Sequence, residues 1–260
     1  MPHDDFPPAS VWLVGAGPGD PELLTRKAAR LIAQADIVFY DALVGPGVLD
    51  LIAPGTTRIS VGKRSGRHSR DQGTIDTLIV AAALEGHRVV RLKGGDPAIF
   101  ARSAEEVAAC TAAGVPVRIC PGITAASAAV ASAGVSLSLR GLARRVVFAT
   151  AHARQGVPLD MDWTTFAAPD ATLAIYMGRA AAATIARQLI EAGRSPDTPI
   201  LIVVDASLPS ERLVRGRLSA LAFLVDAIST NDPAVLIVGE AVASEARRID
   251  ALSRAQQADA

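Results

Sequence analysis

Short apolar runs along the chain alternate with stretches whose apolar residues return every three or four positions, as expected for strands alternating with amphipathic helices. The run at 11–14 ends in the turn sequence GAGPGD, Gly15 to Asp20. There Asp20 suits a helix cap and Pro21 a first helical position, and Leu24, Ala28 and Leu31 recur at helical spacing, so a single helix is expected directly after the turn. Further strands are expected at 37–40, 59–61, 88–92 and 115–119, with helices near 72–84 and 103–113. That alternation predicts a mostly parallel sheet covered on both faces. In the second half, strands are expected at 146–150, 172–177, 199–204, 212–217 and 234–238, and helices at 180–192 and 219–227. The turn carrying Ser207, Pro209 and Ser210 is too short for a crossover, so the strands on either side pair antiparallel and the second sheet is mixed.

The fold class expected is therefore α/β in two lobes. A flexible leader over 1–10 precedes an N-terminal lobe over 11–122, a C-terminal lobe over 123–245 and a tail over 246–260. Half of the 260 residues are hydrophobic and 20% are charged, enough for a substantial core. Lys plus Arg equals Asp plus Glu, which argues against nucleic-acid binding through a broadly basic surface. Cys110 and Cys120 have neither metal-ligand spacing nor a disulfide framework, which fits a reducing cytoplasm, and no metal is expected. The opening MPHDDFPPAS lacks the pattern of a signal peptide, and no apolar stretch is uninterrupted enough to span a membrane.

The most informative stretch is RLKGGDPAIF, Arg91 to Phe100, at the end of an expected buried strand. Gly94 and Gly95 remove two successive side chains, so a ligand or another segment can lie against the main chain. Asp96 precedes Pro97 and is held extended. Either a plain strand-to-helix turn or a site for a neutral or cationic polar molecule fits these residues. Asp20, Asp41, Lys63 and Asp96 all follow expected strands, on the side where open α/β sheets collect ligands. GAGPGD lacks G-x-G-x-x-G spacing and contains Pro18, so a nicotinamide dehydrogenase fits poorly. The run GKRSGRHSR, with Arg58 upstream, is either a solvated loop or a surface for a polyanion. His87 and His152 have no metal-binding partners at suitable spacing, and Ser127 and Ser132 lie in no nucleophile elbow.

Taken in order, VGAGPGDPELLT, VFYDALV, VGKRSGRHS, RLKGGDPAIF, VPVRICPGITAAS and YMGRAAA resemble the tetrapyrrole methylase family, most nearly its uroporphyrinogen-III C-methyltransferase branch. The resemblance implies two α/β lobes with S-adenosylmethionine in the cleft between them, usually in a homodimer. It assigns cofactor contacts to Pro18, Gly94, Gly95, Asp96, Ile99, Thr124, Ala125, Met177 and Ala206. Asp41 matches the family's proton acceptor and Lys63 its proton donor. Arg64, Arg67, Arg102 and Arg140 would meet the carboxylates of the tetrapyrrole. The implied reaction methylates two ring carbons of uroporphyrinogen III to give precorrin-2, on the way to sirohaem and cobalamin, and leaves S-adenosylhomocysteine. The chain departs from the branch at Ala98, Ala101, Ser103 and Ala104, where it usually has an aromatic and three glycines, and at Leu139, Ala151 and Ala206. The segment LIVVDASLPSERLVRGRL also resembles precorrin-4 methyltransferases, so a sister enzyme is one alternative. A non-catalytic binder of S-adenosylmethionine or tetrapyrrole is another.

Overall fold

The computed structural model describes residues 5–62, 72–151, 161–228, 232–243 and 245. It divides into two compact units, Met1–Ala125 and Ala126–Ala260. In the first unit, β1 (Ser10–Gly15), β2 (Ile37–Tyr40), β3 (Thr57–Ser60), β4 (Arg88–Lys93) and β5 (Val117–Cys120) form one sheet in the order β3-β2-β4-β1-β5. All four pairings are parallel. The crossovers carry α1 (Arg26–Gln34), the four-residue α2 (Pro46–Leu49), α3 (Gln72–Leu84) and α4 (Ser103–Ala112).

Period-two alternation sorts the core onto two faces. Trp12, Val14, Val38, Val90 and Leu92 pack with Leu31 and Ile32 of α1. Val11, Leu13, Phe39 and Val89 pack with Ile75 and Ile79 of α3 and Cys110 of α4. Because β4 is central, both of its faces are covered, and the next residues on the α3/α4 side, Arg91 and Lys93, are buried with the core.

The second unit holds β6 (Arg145–Thr150), β7 (Ala171–Tyr176), β8 (Pro199–Val204), β9 (Arg212–Arg217) and β10 (Ala234–Val238) in the order β6-β7-β10-β8-β9. β6 and β7 are parallel and the other pairs antiparallel, so the sheet is mixed, and β8 and β9 form the expected antiparallel pair. One face packs on α7 (Ala182–Glu191) and α8 (Leu221–Ala227). The other packs on α5 (Ala125–Ser132). A short helix, α6 (Trp163–Phe166), precedes β7.

Two expectations need correction. The single helix expected after GAGPGD is two elements. Asp20 caps a 3-10 turn, Pro21–Leu23, by accepting from the Glu22 N–H at 2.8 Å. Leu24 is then extended, and Thr25 caps α1 by accepting from the Ala28 N–H at 3.0 Å. Two competent caps five residues apart start two elements rather than one. Nor are residues 5–10 a loose leader. Phe6 is fully buried, its carbonyl accepts from Arg88 Nε at 2.8 Å, and Asp5 forms ion pairs with Arg30 and Lys27.

Candidate functional site

The carboxyl ends of the parallel strands meet through backbone, and glycine makes the approach possible. A Cβ on Gly122, after β5, would lie 2.3 Å from the Gly95 carbonyl oxygen and 2.9 Å from the Gly15 Cα. One on Gly45 would lie 2.2 Å from the Gly19 oxygen, and one on Gly62, after β3, 2.1 Å from the Ala42 nitrogen. Gly17 and Gly95 exchange two main-chain hydrogen bonds, at 3.2 and 2.7 Å, and both have positive φ. Loops from β1, β2, β3, β4 and β5 are thus packed together at one sheet edge, with Pro18, Asp41, Gly94, Gly95 and Asp96 among them. Thr124 joins them, its Cα 4.0 Å from where a Gly95 Cβ would stand. Ala125 opens α5 directly afterwards.

The loop after β4 is fixed by its own side chains. Asp96 Oδ1 accepts from the Ala98 N–H at 2.7 Å, and the Ile99 N–H donates to the Asp96 carbonyl. Ser103 is buried and donates to the Pro97 carbonyl at 2.7 Å. Phe100 and Arg102 both have positive φ, a conformation that costs a side-chain-bearing residue about 1–2 kcal/mol. Such strain persists where surrounding structure over-determines it, often at functional loops.

Asp41 lies directly beyond β2, its side chain 22% exposed. Oδ1 accepts from the Leu43 N–H at 2.9 Å, while Oδ2 faces the Gly94 N–H at 3.4 Å and Arg91 Nη2 at 3.7 Å. Arg91 belongs to a buried ionic group that the sequence reading missed. Glu106 of α4, side chain wholly buried, accepts from Arg91 Nε at 3.0 Å through Oε1 and from Lys93 Nζ at 2.6 Å through Oε2. Burial pushes the Lys93 ammonium below its ordinary pKa and neighbouring Arg91 adds to that, while Glu106 opposes both. Nearby Asp76 is raised chiefly by burial, against a hydrogen bond from Gln72. The available signal was the spacing of Arg91 and Lys93, two apart on a strand otherwise buried on both faces.

In the second unit, Met177 follows β7 and Ala206 follows β8. Both strands pair with the start of β10, so these residues lie at one end of that sheet. Met177 has φ 55°, and Ala206 sits between Asp205 and Ser207 at 51° and 68°. Glu211 fixes this turn by accepting from the Ser207 N–H at 2.6 Å, and Asp205 accepts from Ser210 Oγ at 2.8 Å. Ala126, next in the chain to Ala125, donates its N–H to the Tyr176 hydroxyl at 3.2 Å. Of the arginines expected to meet substrate, Arg102 forms a two-pronged ion pair with Glu105. Arg140 is exposed on the turn bridged by Leu139 and Ala143. Lys63, Arg64, Arg67 and His152 lie outside the described residues.

The profile of the Tetrapyrrole (Corrin/Porphyrin) Methylases matches residues 10–222. Among curated relatives, a siroheme synthase of Gluconacetobacter diazotrophicus is 44% identical over 89% of this chain and 49% of its own length. Siroheme synthase 1 of Yersinia enterocolitica is 47% identical over 89% of the chain and 48% of its own length. The chain thus spans about half the length of these curated relatives. Among solved structures, uroporphyrin-III C-methyltransferase of Thermus thermophilus in complex with S-adenosylhomocysteine has a TM-score of 0.76 at 41% identity, covering 90% of this chain and 98% of that one. A cobalt-precorrin-4 methyltransferase has a TM-score of 0.81 at 30% identity, covering 91% and 97%. With most of its length matched by one family profile, the chain belongs to the tetrapyrrole methylases.

Proposed function

We propose that the protein is an S-adenosylmethionine-dependent C-methyltransferase that converts uroporphyrinogen III to precorrin-2 by methylating two ring carbons. The observation that carries this is the setting of Asp41. A carboxylate whose two oxygens have separate fixed partners stands in the glycine-packed edge of a parallel sheet, with the backbone of Gly62, one residue before Lys63, against its own.

The glycine-opened backbone suits S-adenosylmethionine, which has an amino-acid tail and no phosphate. Gly94, Gly95, Asp96, Ile99, Pro18, Thr124 and Ala125 would hold it. When bound, it supplies a methyl group on an electrophilic sulfonium. Asp41 accepts the proton that leaves the methylated ring, and Lys63 donates a proton or offsets charge. Arg64, Arg67, Arg102 and Arg140 orient the carboxylates of the macrocycle; Arg102 would share its guanidinium between Glu105 and substrate. Holding acceptor carbon and methyl in line can supply about 7–11 kcal/mol of the barrier reduction. A cytoplasmic homodimer feeding sirohaem or cobalamin synthesis completes the proposal; light scattering of the purified protein checks the dimer.

The sister reading, methylation of a precorrin-4-type substrate, is favoured by the higher TM-score to the cobalt-precorrin-4 enzyme. Higher identity to the uroporphyrin-III enzyme favours the first. Anaerobic incubation with uroporphyrinogen III and S-adenosylmethionine decides by mass: the proposal requires a product two methyl groups heavier. Mass gained only by a later precorrin selects the sister enzyme. Cofactor binding without turnover on either would leave a binding protein.

A further inference from the structure

The ionic group on the α3/α4 side of β4 has no role in the chemistry proposed above, and its position calls for one. Arg91, Lys93 and Glu106 are 4%, 3% and 1% exposed, on a face otherwise built from Val89, Leu13, Phe39 and Ile79. Buried ion clusters rarely stabilise a fold better than apolar residues of the same volume. The trio carries two cations and one anion, and Asp41 lies within reach of the excess charge. Arg91 is held by hydrogen bonds at two of its guanidinium nitrogens, and the third faces Asp41 at 3.7 Å. Nε donates to Glu106, Nη1 to the Leu92 carbonyl at 2.8 Å, and Nη2 is turned to Asp41 Oδ2. Lys93 takes the second oxygen of Glu106, so that carboxylate meets Arg91 through Oε1 and Nε and leaves Nη2 to Asp41.

We infer that Glu106 and Arg91 are positioning residues for Asp41: Glu106 sets the plane of the Arg91 guanidinium, and Arg91 fixes the direction of the Asp41 carboxylate. The inference rests on Asp41 being the proton acceptor. A planar fork held on two sides transmits orientation in a way that a single ammonium cannot.

The test compares Glu106→Gln, Arg91→Lys and Asp41→Asn with the parent, using anaerobic turnover of uroporphyrinogen III, calorimetric binding of S-adenosylmethionine and thermal melting. Glu106→Gln is expected to lower kcat about tenfold or more while KM and the cofactor Kd stay within about twofold. Arg91→Lys, which keeps the charge and loses the fork, should give the same split, and decides the matter if Glu106→Gln does not fold. In an Asp41→Asn background either change should add little, because residues acting through one group are not additive. Unchanged kcat in both variants, or KM and Kd worsening in parallel with kcat, would overturn the inference. Parent-like turnover by Asp41→Asn would instead remove the proton-acceptor assignment, a separate outcome from slow Asp41→Asn with fast Glu106→Gln, which removes only the positioning role.

Discussion

Asp41→Asn keeps an oxygen for the Leu43 N–H and deletes the charge that faces Arg91, so S-adenosylmethionine binding should persist while turnover falls roughly 10²–10⁴-fold. Anaerobic single-turnover rates check this. Asp96→Ala removes the acceptor of the Ala98 N–H and should loosen the loop after β4, raising the cofactor Kd by roughly fivefold, about 1 kcal/mol. An unaltered Kd would make that loop a turn and nothing more. Away from the site, the hydrogen bond from Arg30, followed by the contact with Lys27, holds Asp5 well below its ordinary 3.8. A depressed folded-state value means that the stabilisation is complete above the unfolded value and is lost as pH falls through the folded one. Asp5→Asn should therefore melt earlier than the parent at neutral pH, and the gap should narrow by about pH 2; an equal gap at both would disprove the linkage. The acids after strands were legible because chain order alone puts them at strand ends. The spacing of Arg91 and Lys93 pointed to two buried cations, but their partner Glu106 was not legible, since it meets the strand only when α4 folds back over β4, and nothing in a linear pattern marks that encounter.

Between elements, the candidate site depends on how closely five loops approach. Gly122→Ala would place a methyl group against the Gly95 carbonyl, a backbone atom with no room to yield, and should destabilise by about 1–3 kcal/mol and weaken cofactor binding. Gly55→Ala, with nothing within 4 Å, is the control and should leave both unchanged. Thermal melting and calorimetry measure the pair together, and equal effects would mean that the loop packing is slack. Four strands were readable to the residue, β2, β8, β9 and β10 lying where expected, whereas β3 and β5 each start two residues from the expected position. Helix starts were less readable. The segments 180–192 and 219–227 both open with 3-10 turns, and the division at Thr25 depends on a cap whose hydroxyl serves α1 as the Asp20 carboxylate serves the turn before it. α2 and α6, four residues each, are too short to show a helical period.

Over the full chain the formal charge is zero, so any attraction for a carboxylate-rich macrocycle has to come from local clusters. If Arg64 and Arg67 form such a cluster, raising ionic strength should raise KM and leave kcat nearly unchanged, and Arg64→Ala with Arg67→Ala should flatten that dependence. A KM indifferent to salt would take both residues out of substrate capture. The class of fold and the parallel and mixed sheets were legible in order and periodicity, because strand and helix periods and turn residues are local properties, and the family was legible in the resemblance of its motifs. The loops that touch, the glycines that let them, and the buried cations brought beside Asp41 were settled only by folding. Each depends on the approach of segments distant in sequence, and a one-dimensional pattern carries no distance between them.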